Sequence, residues 1–364
     1  MKNKFKLYTD LSLLKIGRYV QMLIPFMSDD IAKQESRIVE AGRFDDYIKF
    51  GRNFIELTSI EECDACLLPI YYDLSANRRS FEESIQDFLD KVGKANKKLL
   101  IFAGHDVANV AITIKNSIVF TSAIDKSSQA NNEQSWPHFF EDFLKKYTEG
   151  NIIPRSRGIT PVIGFCGYAP PLNVSFGKEK IISGIKLITN YLGLIQKYPD
   201  KISHSYRARA IIGLQRSSKI APNFVLKSNF AFGPSGLNSG KVTESNADFR
   251  RIFVENILNS DYTLCVRGIG NNSIRFFETI CCGRIPVFVD TDSVLPYDSV
   301  INWRELCVWV AEKDVDRIDE VVANFHRSIS DEDFIALQKR LRNVWEEYLS
   351  PTGFFKNLHL LINS

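Results

Sequence analysis

The chain has 364 residues, which is too long for one ordinary domain and predicts two domains or one large α/β unit. Hydrophobic residues make up 45% and charged residues 24% of the chain, which excludes disordered, collagen-like and membrane-embedded classes for the whole protein. Lys and Arg number 46 against 43 Asp and Glu, and the resulting net charge of +3 gives no support to a protein that coats nucleic acid.

The seven cysteines and the N-terminal segment both indicate a soluble protein of a reducing compartment. Most of the cysteines lie inside apolar runs, and an odd number does not suit a disulfide framework. The N-terminal segment shows neither the apolar core nor the cleavage site of a signal peptide, and no stretch reaches the roughly 18 apolar residues of a membrane span. We therefore expect a cytoplasmic protein, or one that lacks its anchor; peripheral association with a membrane stays open.

Apolar runs alternate with helical patterns through the first half of the chain. Runs at 65–72, 98–104 and 117–122 predict buried strands, and apolar residues at helical spacing predict a helix over 80–95. The polar stretch 125–134 has no periodicity and predicts a loop. Such alternation is typical of a parallel sheet covered by helices on both faces.

A second alternating series follows segment 149–161, whose Pro, Gly and Arg content is typical of a domain boundary. The short apolar or aromatic runs of this series predict strands at 161–167, 223–226, 262–266, 285–289 and 306–310. Two series of this kind predict an α/β protein of two Rossmann-like domains. We place the N-terminal domain at 1–155, the C-terminal domain at 156–345 and a helical tail at 346–364.

The segment from 261 to 296 carries the clearest chemistry. A predicted strand ends at Val266, a polar, Gly-rich turn follows, and a helix is predicted from about Ile274 to Cys282. Ser273 is the predicted N-cap of this helix and Gly283 its C′ residue. In parallel sheets, ligands bind at the carboxyl ends of the strands, which is where this turn falls.

The residues of the turn favour a bound diphosphate. The start of the helix offers free N–H groups and a partial positive charge, and Gly268 lets the backbone approach a ligand closely. Arg267 enters the turn, and Arg275 lies in the first helical turn. The partial positive charge there disfavours a cation unless an anion binds beside it. Glu278 lies on the same helical face as Arg275, where it either binds ribose hydroxyls or faces water. Because Ser273 stands where the dinucleotide fingerprint needs its third Gly, an ordinary tight turn remains the alternative.

Three further arginines precede the predicted strand at 223–226: Arg207, Arg209 and Arg216. One interpretation lets one of them reach the diphosphate from the first crossover of the second domain. The other interpretation is a solvated basic helix face.

The block from 264 to 303 resembles the signature of the exostosin-like glycosyltransferases. Shared with that signature are Arg267, Gly268, Ser273, Arg275, Glu278, Gly283, Ile285, Pro286, Val287, Asp290, Leu295, Pro296 and Trp303. The chain departs from the signature at Val266, Arg284 and Tyr297, where Pro, Cys and Phe are usual. Weaker similarity in the same order extends over roughly residues 60 to 345.

This resemblance implies a GT-B architecture, in which two Rossmann-like domains face each other across a cleft and the second holds a nucleotide-sugar donor. It further implies transfer to a saccharide acceptor, usually with inversion and without an essential metal, so that the expected cofactor is none beyond the donor substrate. On this interpretation Arg267, Gly268, Asn272, Ser273 and Arg275 stabilise the leaving nucleoside diphosphate. Glu278 binds the ribose.

The catalytic base is sought in the first domain. Inverting transfer needs a base for the proton of the acceptor hydroxyl, and His105, Asp106 and Asp73 follow predicted strands that end at the cleft. The alternative is that Asp106 caps the next helix and His105 is an ordinary loop residue.

Two other functions remain open. Asp290 and Asp292 form a D-x-D pattern, which holds a divalent metal in GT-A glycosyltransferases, so a metal-dependent enzyme of that type is one alternative. A catalytically inactive scaffold that binds a glycan or a partner protein is the other. Cys63 and Cys66 have the spacing of half a zinc site or a redox pair, but packing is the favoured interpretation because further ligands are missing nearby.

Overall fold

The structure is a computed structural model, and it describes residues 4–27, 42–73, 78–104, 112–169, 199–227, 244–268 and 270–362. The candidate bases His105 and Asp106 lie outside the described residues. Within the described part of the chain, no helix combines the length and the apolar character needed to cross a membrane.

The first half of the chain forms a parallel sheet. Its six described strands are β1 (Phe5–Tyr8), β2 (Ile55–Leu57), β3 (Ala65–Leu67), β4 (Leu99–Phe102), β5 (Ser117–Thr121) and β6 (Glu133–Ser135). Their spatial order is β2-β1-β3-β4-β5-β6, and every pairing is parallel. The described α-helices of this half are α1 (Asp45–Phe50), α2 (Arg78–Ser84), α3 (Gln86–Lys94) and α4 (Phe143–Tyr147).

A second parallel sheet follows. Its five described strands are β7 (Val162–Tyr168), β8 (Ala221–Lys227), β9 (Tyr262–Cys265), β10 (Ile285–Asp290) and β11 (Val308–Ala311). They lie in the order β11-β10-β9-β7-β8, again with parallel pairings throughout. The described helices of this half are α5 (Pro199–Arg216), α6 (Glu244–Leu258), α7 (Ile274–Cys281), α8 (Ile318–Ser328) and α9 (Asp331–Val344). The five strands predicted in this half are therefore confirmed in number and in their places along the chain.

The carboxyl ends of the two sheets meet. Residues after β5 pair with residues after β10: Asp125 forms an antiparallel bridge with Ser293, and the Lys126 amide donates to the Asp292 carbonyl oxygen at 2.8 Å. Two parallel sheets whose carboxyl ends face each other confirm the GT-B class.

The chain ends by returning to the first sheet. After α9 and one π-helical turn (Trp345–Leu349), α10 (Pro351–Lys356) and α11 (His359–Ile362) complete the predicted helical tail. Phe354 packs edge-on against Phe120 of β5, and Phe355 stacks on Tyr47 of α1 with ring centroids 4.7 Å apart. These buried aromatic rings join the end of the chain to the core of the first half.

Candidate functional site

The order of the second sheet creates a crevice between β7 and β9. These strands are hydrogen-bonded neighbours, while β8, which lies between them in sequence, pairs on the outer side of β7. The direction of chain winding therefore reverses between β7 and β9, which is the position where ligands bind in open α/β sheets. The predicted phosphate-binding turn follows β9 and so lies at this crevice.

Arg275 reaches this crevice from the first turn of α7. Its Nη2 donates to the Cys166 carbonyl oxygen of β7 at 2.6 Å, and its guanidinium lies 4.3 Å from the ring centroid of Phe165. Gly167 makes the approach possible: its φ is +147°, and a Cβ there would lie 2.9 Å from Nη2. Arg275 is thus held across the end of β7, beside the start of the helix.

The start of α7 keeps the predicted form with one difference. Ser273 is the N-cap residue, with extended backbone, but its buried hydroxyl makes no capping hydrogen bond. The turn before it is closed by the Gly268 amide, which donates to the Asn272 carbonyl oxygen at 3.0 Å. Gly283 ends the helix with φ at +61°, as predicted for a C′ residue.

Arg267 lies half-buried at the end of β9, and burial lowers the pKa of its guanidinium while the carboxylate of Asp125 raises it. Its carbonyl oxygen accepts a hydrogen bond from Nη2 of Arg207 at 3.1 Å. Arg207 is buried on α5, whereas Arg209 pairs with Asp316 at the surface and Arg216 is exposed. Of the three arginines considered from the sequence, only Arg207 reaches the crevice.

A sequence signal for Arg207 was available. Ala210, Ile211 and Leu214 follow it at intervals of three, four and seven residues, and all three are fully buried. A basic residue on the apolar stripe of a helix faces the sheet rather than solvent.

Asn272 has a role that the sequence did not predict. Its side-chain amide donates to the Ser122 carbonyl oxygen at 2.6 Å and lies 3.1 Å from Nε2 of His138. Both N–H groups therefore point at the first half of the chain, which leaves only a carbonyl oxygen for a ligand. Because a phosphate needs donors, we assign Asn272 to positioning the turn rather than to direct diphosphate binding.

The neighbouring Asn271 strengthens the same connection. Its Nδ2 donates to Oδ1 of Asp125 at 2.6 Å, and its Oδ1 accepts from the hydroxyls of Thr291 and Ser293, each at 2.8 Å. Asn271 is 1% exposed. The turn between β9 and α7 is thus fixed to both halves of the chain by buried hydrogen bonds.

Glu278 is buried and paired, so the interpretation that it faces water is wrong. Its Oε1 accepts from Nη1 of Arg250 at 3.0 Å, and Arg250 in turn forms two bonds of 3.0 Å with Glu141. Burial raises the pKa of Glu278, and the nearby charges of Arg250 and Arg275 oppose that rise. We refer to Glu141, Arg250 and Glu278 as the buried ion triad.

Asp290 accepts hydrogen bonds from its own turn, and Asp292 accepts from the first half of the chain. Oδ1 of Asp290 accepts from the backbone amides of Asp292 and Ser293 at 3.1 and 3.2 Å, and Oδ2 of Asp292 accepts from the Ser127 amide at 3.1 Å. In the described part of the chain, no three His, Cys, Asp or Glu side chains are grouped as a metal site. The D-x-D pattern therefore closes a turn and joins the two halves.

Among the candidate bases, only Asp73 falls within the described residues. It is exposed and directly follows Tyr72, which forms a parallel bridge with Ala103 beyond the end of β4. His138, which the sequence did not single out, lies beside the turn between β9 and α7 through its contact with Asn272. No apolar strand precedes His138, so no pattern in the sequence marks it.

Two other sequence features are structural. Cys63 and Cys66 are buried with sulfur atoms 3.9 Å apart, and burial raises the pKa of Cys66 to about 12, as expected for packed thiols. Arg284, which departs from the family signature, is 2% exposed and donates to the Leu258 carbonyl oxygen at 2.9 Å and to that of Ile153 at 3.0 Å. It thereby caps the carboxyl end of α6.

A comparison with known protein families finds a match in the second half of the chain. Residues 215–325, which span β8 to α8, match the family model of the exostosin GT47 domain. Residues 215–325 are thus similar to an exostosin GT47 domain. They contain the turn between β9 and α7, α7 itself and the D-x-D turn, so the resemblance seen in the sequence is confirmed there.

The relatives that match this part of the chain are longer proteins. The chain is 33% identical to exostosin-1 of Drosophila melanogaster over 113 residues, which cover 31% of this chain and 14% of the fly protein. It is 34% identical over 98 residues to a probable β-1,4-xylosyltransferase, IRX10, of Arabidopsis thaliana, covering 27% and 23% of the two chains. In each case the matched segment is less than a quarter of the relative's length.

Among solved structures, the chain is similar to WaaG, a glycosyltransferase involved in lipopolysaccharide biosynthesis. The two are 10% identical with a TM-score of 0.34, and the alignment covers 97% of this chain and 99% of WaaG.

Proposed function

We propose that the protein is a glycosyltransferase that takes a sugar from a nucleoside-diphosphate donor and transfers it to a saccharide acceptor in glycan or polysaccharide biosynthesis. The observation that carries this proposal is the position of Arg275. Its guanidinium crosses the end of β7 at the winding reversal of the second sheet, beside the start of α7. The exostosin-like match over the same elements, and relatives named as glycosyltransferases, support the proposal.

The proposed chemistry places all the charge stabilisation on protein groups. The acceptor hydroxyl oxygen attacks the anomeric carbon, the bond from that carbon to the diphosphate oxygen breaks, and the hydroxyl proton passes to a base. The nucleoside diphosphate leaves with an additional negative charge, which Arg267, Arg275 and the N–H groups of α7 stabilise. Asp73, His105 and Asp106 remain the proposed bases, and attack opposite the leaving group gives inversion.

Glu278 is the proposed ribose ligand, and its pairing with Arg250 gives it a defined orientation. A carboxylate buried beside a guanidinium stays fixed, and it accepts hydrogen bonds from a diol at little cost in side-chain entropy. The same contact makes the ribose pocket depend on the buried ion triad.

We predict that transfer survives an excess of EDTA, because arginine side chains stabilise the leaving group. The matched variants are Asp290→Asn and Asp292→Asn, which should change donor turnover by less than about threefold, since both carboxylates accept hydrogen bonds from protein donors. Strict dependence on Mn²⁺ or Mg²⁺, abolished by either variant, would support the metal-dependent alternative instead.

The function itself is tested by incubating the full chain with a panel of nucleotide sugars and measuring the release of nucleoside diphosphate. We expect release from at least one donor, with a rate that increases when saccharide acceptors are supplied. If the chain binds saccharides but neither binds nor cleaves any nucleotide sugar, the inactive-scaffold alternative is correct.

A further inference from the structure

Arg207 is a buried guanidinium at the crevice with few partners of its own. Its Nη2 donates to the Arg267 carbonyl oxygen at 3.1 Å, and its Nη1 lies 3.4 Å from the Tyr168 carbonyl oxygen, at the ends of β9 and β7. Within the described part of the chain, its buried Nε has no hydrogen-bond partner, and the residue is only 9% exposed. Two of its five N–H groups therefore bond to described residues, one of them at a long distance.

The charge of Arg207 is also uncompensated. No carboxylate forms an ion pair with it among the described residues, and the charge of Arg275, which bonds to the Cys166 carbonyl oxygen at the same end of β7, acts against it. Burial, followed by Arg275, lowers the pKa of Arg207 to about 10. Placing two guanidinium groups together in a buried crevice costs free energy unless an anion joins them.

Other buried arginines of the chain show the contrast. Arg342 is paired with Asp142 at 2.7 Å, and Arg250 with Glu141 and Glu278 at 3.0 Å. Arg284 has no carboxylate but donates to four carbonyl oxygens and to Oε1 of Gln338. Within the described residues, each of these has either a carboxylate or a full set of acceptors, and Arg207 has neither.

We propose that Arg207 binds the diphosphate of the donor nucleotide together with Arg275, as a residue of the donor site that lies on α5 rather than on the family signature. The proposal rests on the proposed function, which supplies the nucleoside diphosphate. The free N–H groups of Arg207 then meet phosphate oxygens, while its bond to the Arg267 carbonyl oxygen keeps the crevice in shape.

The test is calorimetric titration of the full chain and its variants with UDP, GDP, ADP, CDP, dTDP and inorganic pyrophosphate. Arg207→Met should weaken binding of the preferred nucleoside diphosphate about 10- to 100-fold, the scale of a charge-assisted hydrogen bond. Pyrophosphate should lose the same factor, because the contact is to the diphosphate. Arg207→Lys should lose less diphosphate affinity than Arg207→Met. Arg209→Gln, which removes a surface ion pair on the same helix, should bind diphosphates with wild-type affinity.

Melting temperatures without ligand separate binding from a purely structural role. Because Arg207→Met removes an uncompensated buried charge, the free variant should melt at or above the wild-type temperature. A variant that melts several degrees lower while binding diphosphates with wild-type affinity would show that Arg207 only stabilises the fold, and it would overturn the proposal. If the wild type binds no diphosphate at all, the proposed function itself fails. If the wild type binds a diphosphate and Arg207→Met binds it with the same affinity, this inference alone fails.

Discussion

Replacing Arg275 by Ala should reduce donor cleavage on the order of 100- to 1,000-fold, the usual effect of removing one group that stabilises developing charge. The loss has two physical sources. A fixed cation disappears from beside the leaving diphosphate, and the end of β7 loses the hydrogen bond to the Cys166 carbonyl oxygen that holds this cation in place. The measurement is kcat/KM for release of nucleoside diphosphate from the preferred nucleotide sugar.

Two further variants make this result specific. Arg275→Lys keeps the charge but lacks the planar fork needed to bond the Cys166 carbonyl oxygen and a phosphate together, so its activity should fall between Ala and wild type. Arg216→Ala removes an exposed arginine of α5 and should leave kcat/KM unchanged. Wild-type activity in Arg275→Ala would mean that the donor diphosphate binds at a site other than the crevice beside Arg275.

Replacing Arg250 by Met should destabilise the free protein by about 3–5 kcal/mol, because it leaves two buried carboxylates without their shared partner. Glu141 and Glu278 are 2% and 5% exposed, and Arg250 bonds to both at 3.0 Å. Urea denaturation at pH 8 measures the loss. The exposed pair of Arg79 and Glu83 offers a matched control, since Arg79→Met should cost less than about 0.5 kcal/mol.

The pH dependence of the Arg250→Met variant follows from Glu278. Burial raises the pKa of Glu278 in the folded protein above the unfolded value of 4.5. As the pH falls through the folded pKa toward the unfolded one, the folded protein takes up a proton that the unfolded chain does not, and this favours the folded state. Without Arg250, which lowers this pKa, the raised value moves higher still. The difference in unfolding free energy between variant and wild type should therefore be largest at pH 8 and shrink toward pH 5. A difference in unfolding free energy that is constant from pH 8 to pH 5 would contradict the pairing of Glu278 with Arg250.

The second half of the fold was predictable because its strands are buried on both faces. All four residues of β9 are buried, and apolar runs of this kind mark central strands of parallel sheets. The ends of α7 were equally visible, since a Ser start and a Gly finish at φ +61° follow from local backbone chemistry. By contrast β6 fell within a predicted loop, because its buried Glu133 and Ser135 are polar and give no apolar signal.

The proposed site could be predicted from the sequence only where its chemistry is local. Arg267, Ser273 and Arg275 stand close together in sequence, so the turn and the start of α7 mark them as candidates without knowledge of the fold. The buried ion triad brings together residues 109 and 28 positions apart, and no spacing in the sequence predicts such a contact. The same limit explains why Asn272 was assigned to the diphosphate, although its amide donates to Ser122 across the two halves.

A crystal structure of the full chain, grown with the nucleoside diphosphate that most raises its melting temperature, would show directly where the donor binds. We expect diphosphate density in the crevice between β7 and β9, with phosphate oxygens within hydrogen-bond distance of the guanidinium groups of Arg207 and Arg275 and beside the first turn of α7. Density at the turn of Asp290 and Asp292, bridged by a metal ion, would contradict it.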